Sequence, residues 1–369
     1  MKFTCTQENL NRGLLMVSNV AGRSATLPIL NNVLIKAGGG EIKLSTTNLE
    51  IGMSAVIRGK VEKEGEFTVQ ARLLADYASL LPKENVEINV EDQSLNLKCG
   101  TFKTVIKGVD ASDFPLIPEM ERREEIQVKA RDLKKALARV VFTVSLDESR
   151  PEISGVYFKF SGNQMTIVGT DSYRLAEVKV NLVKGNAGDK DLIVPLRTVQ
   201  ELYRILSEAG DKDIQAFLNE NQILFKLGDE VELTSRLVEG QYPDYQQIIP
   251  TAKKTEAKVK VAELVKVVKS ASLFCKPGIN DVKLSFMADK NQVMISSLNS
   301  AVGENLINLE LECSGEDNEV VFNYRYLLDG LNNLGSDEAK LEIISGNAPG
   351  LIKPVGDDSY LYIIMPIRQ

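Results

Sequence analysis

The residue types that most often carry out covalent catalysis are absent or scattered in this sequence. The 369 residues include no histidine, so neither a Ser-His nor a Cys-His nucleophile can be assembled. Four cysteines stand far apart without a CxxC pair, which indicates reduced thiols and not a zinc site; they are Cys5, Cys99, Cys275 and Cys313. Carboxylate or lysine chemistry stays open, for example at Asp171, but no second acid lies at a recognisable spacing. We therefore predict that the chain is not an enzyme and binds no metal or cofactor.

Basic side chains on predicted helices offer a different chemistry. In the segment ARDLKKALARVVFTV, apolar residues share one helix face at about 100° per residue, and basic residues fall largely on the opposite face. The basic residues are Arg131, Lys134, Lys135 and Arg139, and two other predicted helices carry Arg72 and Arg197. Such a face would follow a phosphate backbone without reading bases, although a merely solvated helix face has the same pattern.

The composition is that of a globular chain with an acidic overall charge. Apolar residues make up 43% of the sequence, charged residues 26%, and the formal net charge is −7. Such a chain is not coated with positive charge, so any nucleic-acid contact must be local. No apolar run approaches the roughly 20 residues that span a bilayer, and the start MKFTCTQENL lacks the apolar core of a secretory signal. The expected location is the cytoplasm, without a membrane partner.

Three related segments, each a strand, a turn and a strand, indicate an internal repeat. They read ILNNVLIKAGGGEIKLSTTNLE, EISGVYFKFSGNQMTIVGTDSYR and GINDVKLSFMADKNQVMISSLNS. Their equivalent valines are Val33, Val156 and Val282, which lie 123 and 126 residues apart. A repeat in step at this period is typical of tandem structural units.

A second feature recurs in step with the first, an apolar strand that leads into an amphipathic helix. It is marked by Val69, Val194 and Phe322, at spacings of 125 and 128 residues. A further helix opens each unit, in QENLNRGLLMVSNV, ARDLKKALARVVFTV and KVAELVKVVKSASLF. Apolar and polar residues alternate in 41–45 and 86–90, as in half-buried antiparallel strands. We predict an α+β fold of three domains, 1–124, 125–252 and 253–369, each with two helices packed on antiparallel sheets.

Several short segments together resemble the bacterial family of DNA polymerase III β subunits, the sliding clamps. They are MKFT at the start, TLPIL at 26–30, TDSYRLA at 170–176, YPDYQQIIP at 242–250 and YIIMPIR at 362–368. The resemblance covers essentially the whole chain in order, and TD-x-x-RLA and the terminal MP-x-R are its specific parts. It implies three clamp-type domains forming half of a ring, which a second copy of the chain closes head to tail around duplex DNA.

The resemblance also implies how such a ring would work. Topology would hold the DNA, so contacts could be few, weak and independent of sequence. By similarity, Arg23 is a DNA contact beside the basic helix residues named above. An ATP-driven clamp loader would open the ring, because this chain has no GxxxxGK[ST] loop. The ring would confer processivity by tethering the replicative polymerase and repair proteins through short peptides.

The family's peptide-binding groove maps onto particular residues of this chain. One wall consists of Ile153, Thr170, Arg174, Leu175, Pro243 and Ile248. The far wall consists of Asn323, Tyr326, Ile363, Met365, Pro366 and Arg368. Apolar walls would accept Leu or Phe anchors, and a methionine can adapt its packing to them. Gln247 stands where the family is often basic, and Gln369 where an apolar residue is common, which bears on peptide preference.

Ring contacts are expected by resemblance at Ile106 in the first domain and at Leu273 and Phe274 in the third. Ordinary core packing explains these three residues equally well. A rival hypothesis for the whole chain is a peptide-binding repeat scaffold that never encloses DNA. It would keep the groove and lose the basic helix faces, so those faces favour the ring.

Overall fold

The structure is a computed structural model that describes residues 1–22, 27–115, 117, 120, 124–185, 188–210 and 212–368. Within these residues the α-helices are α1 (Gln7–Val17), α2 (Ala71–Ser79), α3 (Ala130–Val140), α4 (Leu196–Leu206), α5 (Val261–Ser272) and α6 (Tyr324–Asn332). Short 3-10 helices lie at Pro28–Asn31, Ala111–Asp113, Val141–Thr143, Tyr245–Ile248 and Ala288–Lys290. Each helix predicted from an amphipathic pattern is therefore present.

Strands make up most of the remaining regular structure. The first are β1 (Lys2–Thr6), β2 (Asn32–Gly38), β3 (Glu41–Thr47), β4 (Ile51–Ile57), β5 (Gly59–Lys63), β6 (Gly65–Gln70), β7 (Asn85–Glu91), β8 (Ser94–Cys99) and β9 (Phe102–Val109). The next are β10 (Glu124–Lys129), β11 (Gly155–Ser161), β12 (Gln164–Thr170), β13 (Arg174–Asn181), β14 (Lys190–Pro195), β15 (Asp213–Leu218), β16 (Gln222–Leu227) and β17 (Val231–Arg236). The last are β18 (Thr255–Lys260), β19 (Asp281–Met287), β20 (Gln292–Asn299), β21 (Gly303–Glu310), β22 (Glu312–Gly315), β23 (Asn318–Asn323), β24 (Glu338–Ile343), β25 (Gly350–Pro354) and β26 (Tyr360–Ile364).

The chain divides into two compact units. Unit 1 comprises Met1–Arg131, Leu182–Gly188 and Arg197–Leu237, and unit 2 comprises Asp132–Asn181, Asp189–Leu196 and Val238–Gln369. These units reflect compactness and not the sequence repeat. The domain boundaries predicted after residues 124 and 252 stay predictions.

All described pairs of neighbouring strands are antiparallel, so the predicted α+β class is confirmed. Unit 1 holds one sheet in the order β10-β15-β16-β17-β4-β3-β2-β6-β9-β8-β7-β1-β5. Unit 2 holds a sheet in the order β14-β11-β12-β13-β26-β25-β24-β18-β22 and a smaller one in the order β21-β20-β19-β23. The C-terminal strand β26 thus lies directly beside β13.

The sequence repeat reappears as a repeated cross-strand pair. Val33 pairs with Val69, Val156 with Val194, and Val282 with Phe322. All six side chains are fully buried. Burying an aliphatic or aromatic side chain stabilises the folded state by about 1.5 to 3 kcal/mol, so each repeat builds its core around the same pair.

Helix α1 packs closely on β4 because one of its residues lacks a side chain. Thr6 caps the helix, since its hydroxyl accepts from the amide of Asn9 at 3.2 Å. A Cβ at Gly13 would meet the side chain of Ile57 well inside contact distance and Leu44 Cδ1 at 2.9 Å. Glycine at position 13 is therefore a packing requirement.

Gly13→Ala should lower the free energy of unfolding by about 1 to 3 kcal/mol, because the new methyl group must displace Ile57. Where a helical glycine has open surroundings, replacing it with alanine stabilises a protein by about 0.5 to 1 kcal/mol. The sign of the change in unfolding free energy therefore distinguishes a crowded position from an open one. Gly38→Ala is the control: its Cβ would lie 3.7 Å from Glu64 Cδ, an ordinary contact. Thermal unfolding midpoints measure both variants. A raised midpoint for Gly13→Ala would contradict the packing argument.

Candidate functional site

The turn between β12 and β13 is held by hydrogen bonds from its own side chains. The Thr170 hydroxyl donates to the carbonyl oxygen of Arg174 at 2.7 Å and accepts from the amide of Ser172 at 3.1 Å. Asp171 Oδ1 accepts from the amides of Tyr173 and Arg174 at 2.9 and 3.0 Å. These bonds keep Ser172 at a φ of 77°, a left-handed conformation that is uncommon without glycine. The sequence TDSYR therefore specifies one rigid turn.

Unit 1 contains the same turn between β3 and β4. The Thr47 hydroxyl donates to the carbonyl oxygen of Ile51 at 2.9 Å, and Asn48 Oδ1 accepts from the amides of Glu50 and Ile51 at 3.1 and 2.7 Å. Leu49 takes the left-handed position with a φ of 79°. Aspartate and asparagine serve equally here because each offers a side-chain oxygen to the backbone.

The residue that follows the turn differs between the units. In unit 2 it is Leu175, which is buried and lies across the strand pair from Ile363. In unit 1 it is Gly52, where a Cβ would lie 2.7 Å from Ile117 Cγ2. The chain itself therefore covers this position in unit 1.

A cavity of about 150 Å³ opens beside the TDSYR turn of unit 2. It brings together many of the predicted groove residues, namely Ile153, Thr170, Arg174, Leu175, Pro243, Ile248, Ile363 and Met365. It is also lined by residues that the sequence analysis missed, namely Arg150, Ser172, Asp244 and Tyr245. Three of these lie inside the TDSYR and YPDYQQIIP segments, which could have indicated them. Arg150 lies in a loop without a recognisable pattern.

The floor of the cavity is also part of the hydrophobic core. Ile153, Leu175 and Ile363 are at most 2% exposed and pack with Val168. Ile248 is 39% exposed and forms the rim. Core packing and a cavity wall, which were alternatives for these residues on sequence alone, are both realised.

Arg174 is fixed in place by charge and by aromatic rings. Its Nε donates to Asp171 Oδ2 at 3.0 Å, and its Nη1 donates to Asp329 Oδ2 at 2.5 Å. Its guanidinium carbon lies 4.6 Å from the ring centroid of Tyr326 and 5.6 Å from that of Phe142. A planar cation with several donors suits this position better than lysine would.

Three tyrosines pack together in the core beside the cavity, and one of them, Tyr245, also lines it. The Tyr157 and Tyr242 rings stack at 4.6 Å between centroids, and Tyr245 meets both edge-on. The Tyr245 hydroxyl donates to Glu177 Oε2 at 2.6 Å, and burial together with this bond raises the pKa of Tyr245. Burial and a hydrogen bond to Asp191 raise the pKa of Tyr157 to about 12. The buried Tyr242 hydroxyl has no hydrogen-bond partner among the described residues.

The remaining residues of the predicted far wall do not line the cavity. Asn323 caps α6 by accepting from the amide of Arg325 at 3.0 Å. Tyr326 does not line the cavity, and its ring stacks on Arg174, which does. Pro366 belongs to the segment after β26, and Arg368, further along it, is exposed.

The predicted DNA contacts are distributed over several helices. Arg72, Arg131, Lys135 and Arg197 are exposed, and Lys134 is partly exposed. Arg23 lies outside the described residues.

The prediction that Arg139 shares the exposed basic face is wrong. Its side chain is only 6% exposed, and Nη1 donates to Asp357 Oδ2 at 2.8 Å. The guanidinium also lies 5.1 Å from the ring centroid of Tyr360. Burial alone would raise the pKa of Asp357, but hydrogen bonds from Ser359 and Arg139 bring it down to about 2. Arg139 is therefore held in the interior and is not available to a phosphate.

The predicted ring contacts differ in exposure. Leu273 is 74% exposed and Phe274 is partly exposed. Ile106 is 6% exposed, so its side chain belongs to the core. Its neighbour Val105, which the sequence analysis did not single out, is 63% exposed on the same strand.

The described residues contain no helix that is long and apolar enough to cross a membrane. They also contain no group of three or more histidine, cysteine or acidic side chains that could hold a metal ion. The four cysteines are free thiols, and burial raises the pKa of Cys5 to about 12.

Comparison with known proteins identifies the family. Residues 1–118, 127–244 and 246–368 match the N-terminal, central and C-terminal domains of the DNA polymerase III beta subunit. The chain is 31% identical to the beta sliding clamp of Synechococcus elongatus, over 100% of this chain and 99% of that protein. It is 29% identical to the solved DNA polymerase sliding clamp of Bacillus subtilis, with a TM-score of 0.95 over 100% and 99% of the two chains. It is 31% identical to the DNA polymerase III subunit beta of Bartonella birtlesii bound to griselimycin, with a TM-score of 0.94 over 100% of both chains.

The chain therefore belongs to the DNA polymerase III beta subunit family, the beta sliding clamps. The predicted fold of three clamp domains with helices and antiparallel sheets is confirmed. The sliding clamp is likewise favoured over the repeat scaffold.

Tyr245→Phe should lower the free energy of unfolding by about 1 to 3 kcal/mol, because Glu177 would lose its hydrogen bond in a buried position. Tyr242→Phe is the matched control in the same cluster. It should be neutral or stabilising, because it removes a buried hydroxyl that has no described partner. Denaturant unfolding of the two variants beside the parent chain measures the difference. Equal effects would contradict the assigned hydrogen bond.

Proposed function

We propose that two copies of this chain close into a ring around duplex DNA, slide along it without reading sequence, and confer processivity on the polymerases they tether. Family membership supports the proposal. The structural observation that carries it is an open strand edge in each unit. At each contact that closes the ring, the open edge of unit 1 in one copy would meet the open edge of unit 2 in the other copy.

The first open edge is β9 of unit 1. It pairs with β8 from Phe102 to Lys107 but with β6 only at Val109 and Gly108, so residues 102–107 have a described strand partner on one side alone. The second is β21 of unit 2, the last described strand of its sheet. Val105 on β9 is 63% exposed and Leu306 on β21 is 60% exposed. Open edges with apolar side chains promote association with another chain, which favours pairing between copies near the exposed Leu273.

Contact with DNA would come from the basic helix residues. Arg72, Arg131, Lys135 and Arg197 are exposed and would touch phosphates, with Lys134 and Arg23 as further contacts. Contacts of this kind fix no base sequence. A chain with a formal net charge of −7 would stay on DNA mainly because the ring is closed.

The cavity in unit 2 would receive short peptides from partner proteins. Its apolar walls suit Leu or Phe anchors, each contributing about 1.5 to 3 kcal/mol when buried. The partners would be the replicative polymerase, repair proteins and the ATPase that loads the ring. The ring itself would perform no catalysis and would act in the cytoplasm.

The decisive experiment compares retention on circular and linear DNA. Light scattering should give the mass of a dimer. After loading with a bacterial clamp loader and ATP, the protein should stay on nicked circular DNA and be released once that circle is cut. Release at equal rates from both forms, or a monomer mass, would favour a peptide-binding scaffold that does not enclose DNA.

Ile248→Ala should weaken binding of a labelled peptide containing one Gln and two apolar anchors by about fivefold or more, because the rim loses an apolar contact. Val183→Ala, which truncates a 47% exposed side chain in unit 1, should leave affinity unchanged. Fluorescence anisotropy measures both. If both variants bind like the parent chain, the peptide does not use this cavity.

A further inference from the structure

Three charged residues line the cavity of unit 2: Arg150, Arg174 and Asp244. A ligand can respond only to charge that the protein has not already compensated. The ion pairs and hydrogen bonds of each residue therefore decide what the cavity selects beyond apolar anchors.

The charge of Arg174 is more than compensated. Its side chain is 13% exposed and contacts two carboxylates, those of Asp171 and Asp329. One cation beside two anions leaves this group acidic. Asp329 is 46% exposed, so the excess negative charge faces solvent.

The side chain of Arg150 is 47% exposed, and it contacts both its own loop and the TDSYR turn. Its Nε lies 3.4 Å from Glu152 Oε1, and its Nη1 donates to Ser172 Oγ at 2.8 Å. Hydrogen bonds from Ser149, aided by the charge of Arg150, lower the pKa of Asp147. Again one cation stands among two carboxylates.

Asp244 differs, because its side chain is hydrogen-bonded to an uncharged group. It accepts a hydrogen bond at 2.7 Å from the side-chain amide of Gln247, and both residues are exposed. An amide satisfies an oxygen of the carboxylate without neutralising it. Arg368 is exposed but does not line the cavity.

Asp244 is also well placed to meet a ligand. It directly precedes the 3-10 helix Tyr245–Ile248 and directly follows Pro243. Pro243 and Ile248 both line the cavity beside it. A cation next to an apolar anchor packed on these two residues would reach the carboxylate.

We propose that this cavity selects peptides that carry a Lys or Arg beside the apolar anchor, and that Asp244 determines this preference. The inference rests on the proposed peptide-binding function and specifies the chemistry of the partner. The complementarity is electrostatic, so it acts on specificity more than on total affinity.

Two labelled peptides that differ at one position test the proposal. Both contain a Gln and two apolar anchors, and the flanking residue is Lys in one and Asp in the other. The full-length chain should bind the Lys peptide about fivefold more tightly at low salt. The ratio should approach one near 1 M salt, where the Debye length is about 3 Å.

Asp244→Asn should remove most of the preference, and Asp244→Lys should reverse it. Asp358→Asn is the matched control, because it removes one exposed acid of unit 2 that does not line the cavity. It should keep the parent ratio. Thermal unfolding confirms that each variant is folded.

The outcomes separate this inference from the function on which it rests. Equal binding of the two peptides, or preference for Asp, overturns the charge preference and leaves peptide binding intact. A preference that survives both Asp244 variants overturns the role of Asp244. Failure of both peptides to bind the parent chain overturns the proposed peptide-binding function as well.

Discussion

The hydrogen bonds that Asp171 accepts from the amides of Tyr173 and Arg174 fix the geometry on which the cavity depends. They turn the chain sharply enough for β13 to start with Arg174 between two carboxylates and Leu175 against Ile363. A mostly buried cation loses hydration, and here the loss is offset by two ion pairs and aromatic faces. The same residues therefore hold the turn, position the guanidinium and shape the cavity wall.

The internal repeat places the same backbone turn in both units, but the surroundings of the turn differ. Thr47 and Asn48 build the turn in unit 1 as Thr170 and Asp171 build it in unit 2. The difference lies in the next side chain and in the segment that covers it. Ile117 covers Gly52, whereas Leu175 contributes to an open cavity. Repetition supplies the rigid frame, and local divergence supplies the binding chemistry.

The charged residues of one helix likewise divide into a buried structural residue and exposed ones. Arg139 and Lys135 both belong to the predicted basic face of α3, yet Lys135 is exposed and Arg139 is buried. A helical wheel gives only the angle of each side chain around its own axis. The partners of Arg139 are Asp357 and Tyr360, more than two hundred residues further along the chain. No periodicity within α3 contains that information.

The sequence alone determined the helices, the alternating strands and the threefold repeat, because these depend on local periods of 3.6 and 2 residues. Its resemblance to a known family also indicated much of the cavity lining. The tertiary structure decided which boundary residues are buried, as with Arg139 and Ile106. It also decided that Arg150 and Asp244 share one cavity with β26. Those contacts depend on the pairing of β13 with a strand from the C-terminal end, and a non-local pairing leaves no periodic pattern in the residues that it joins.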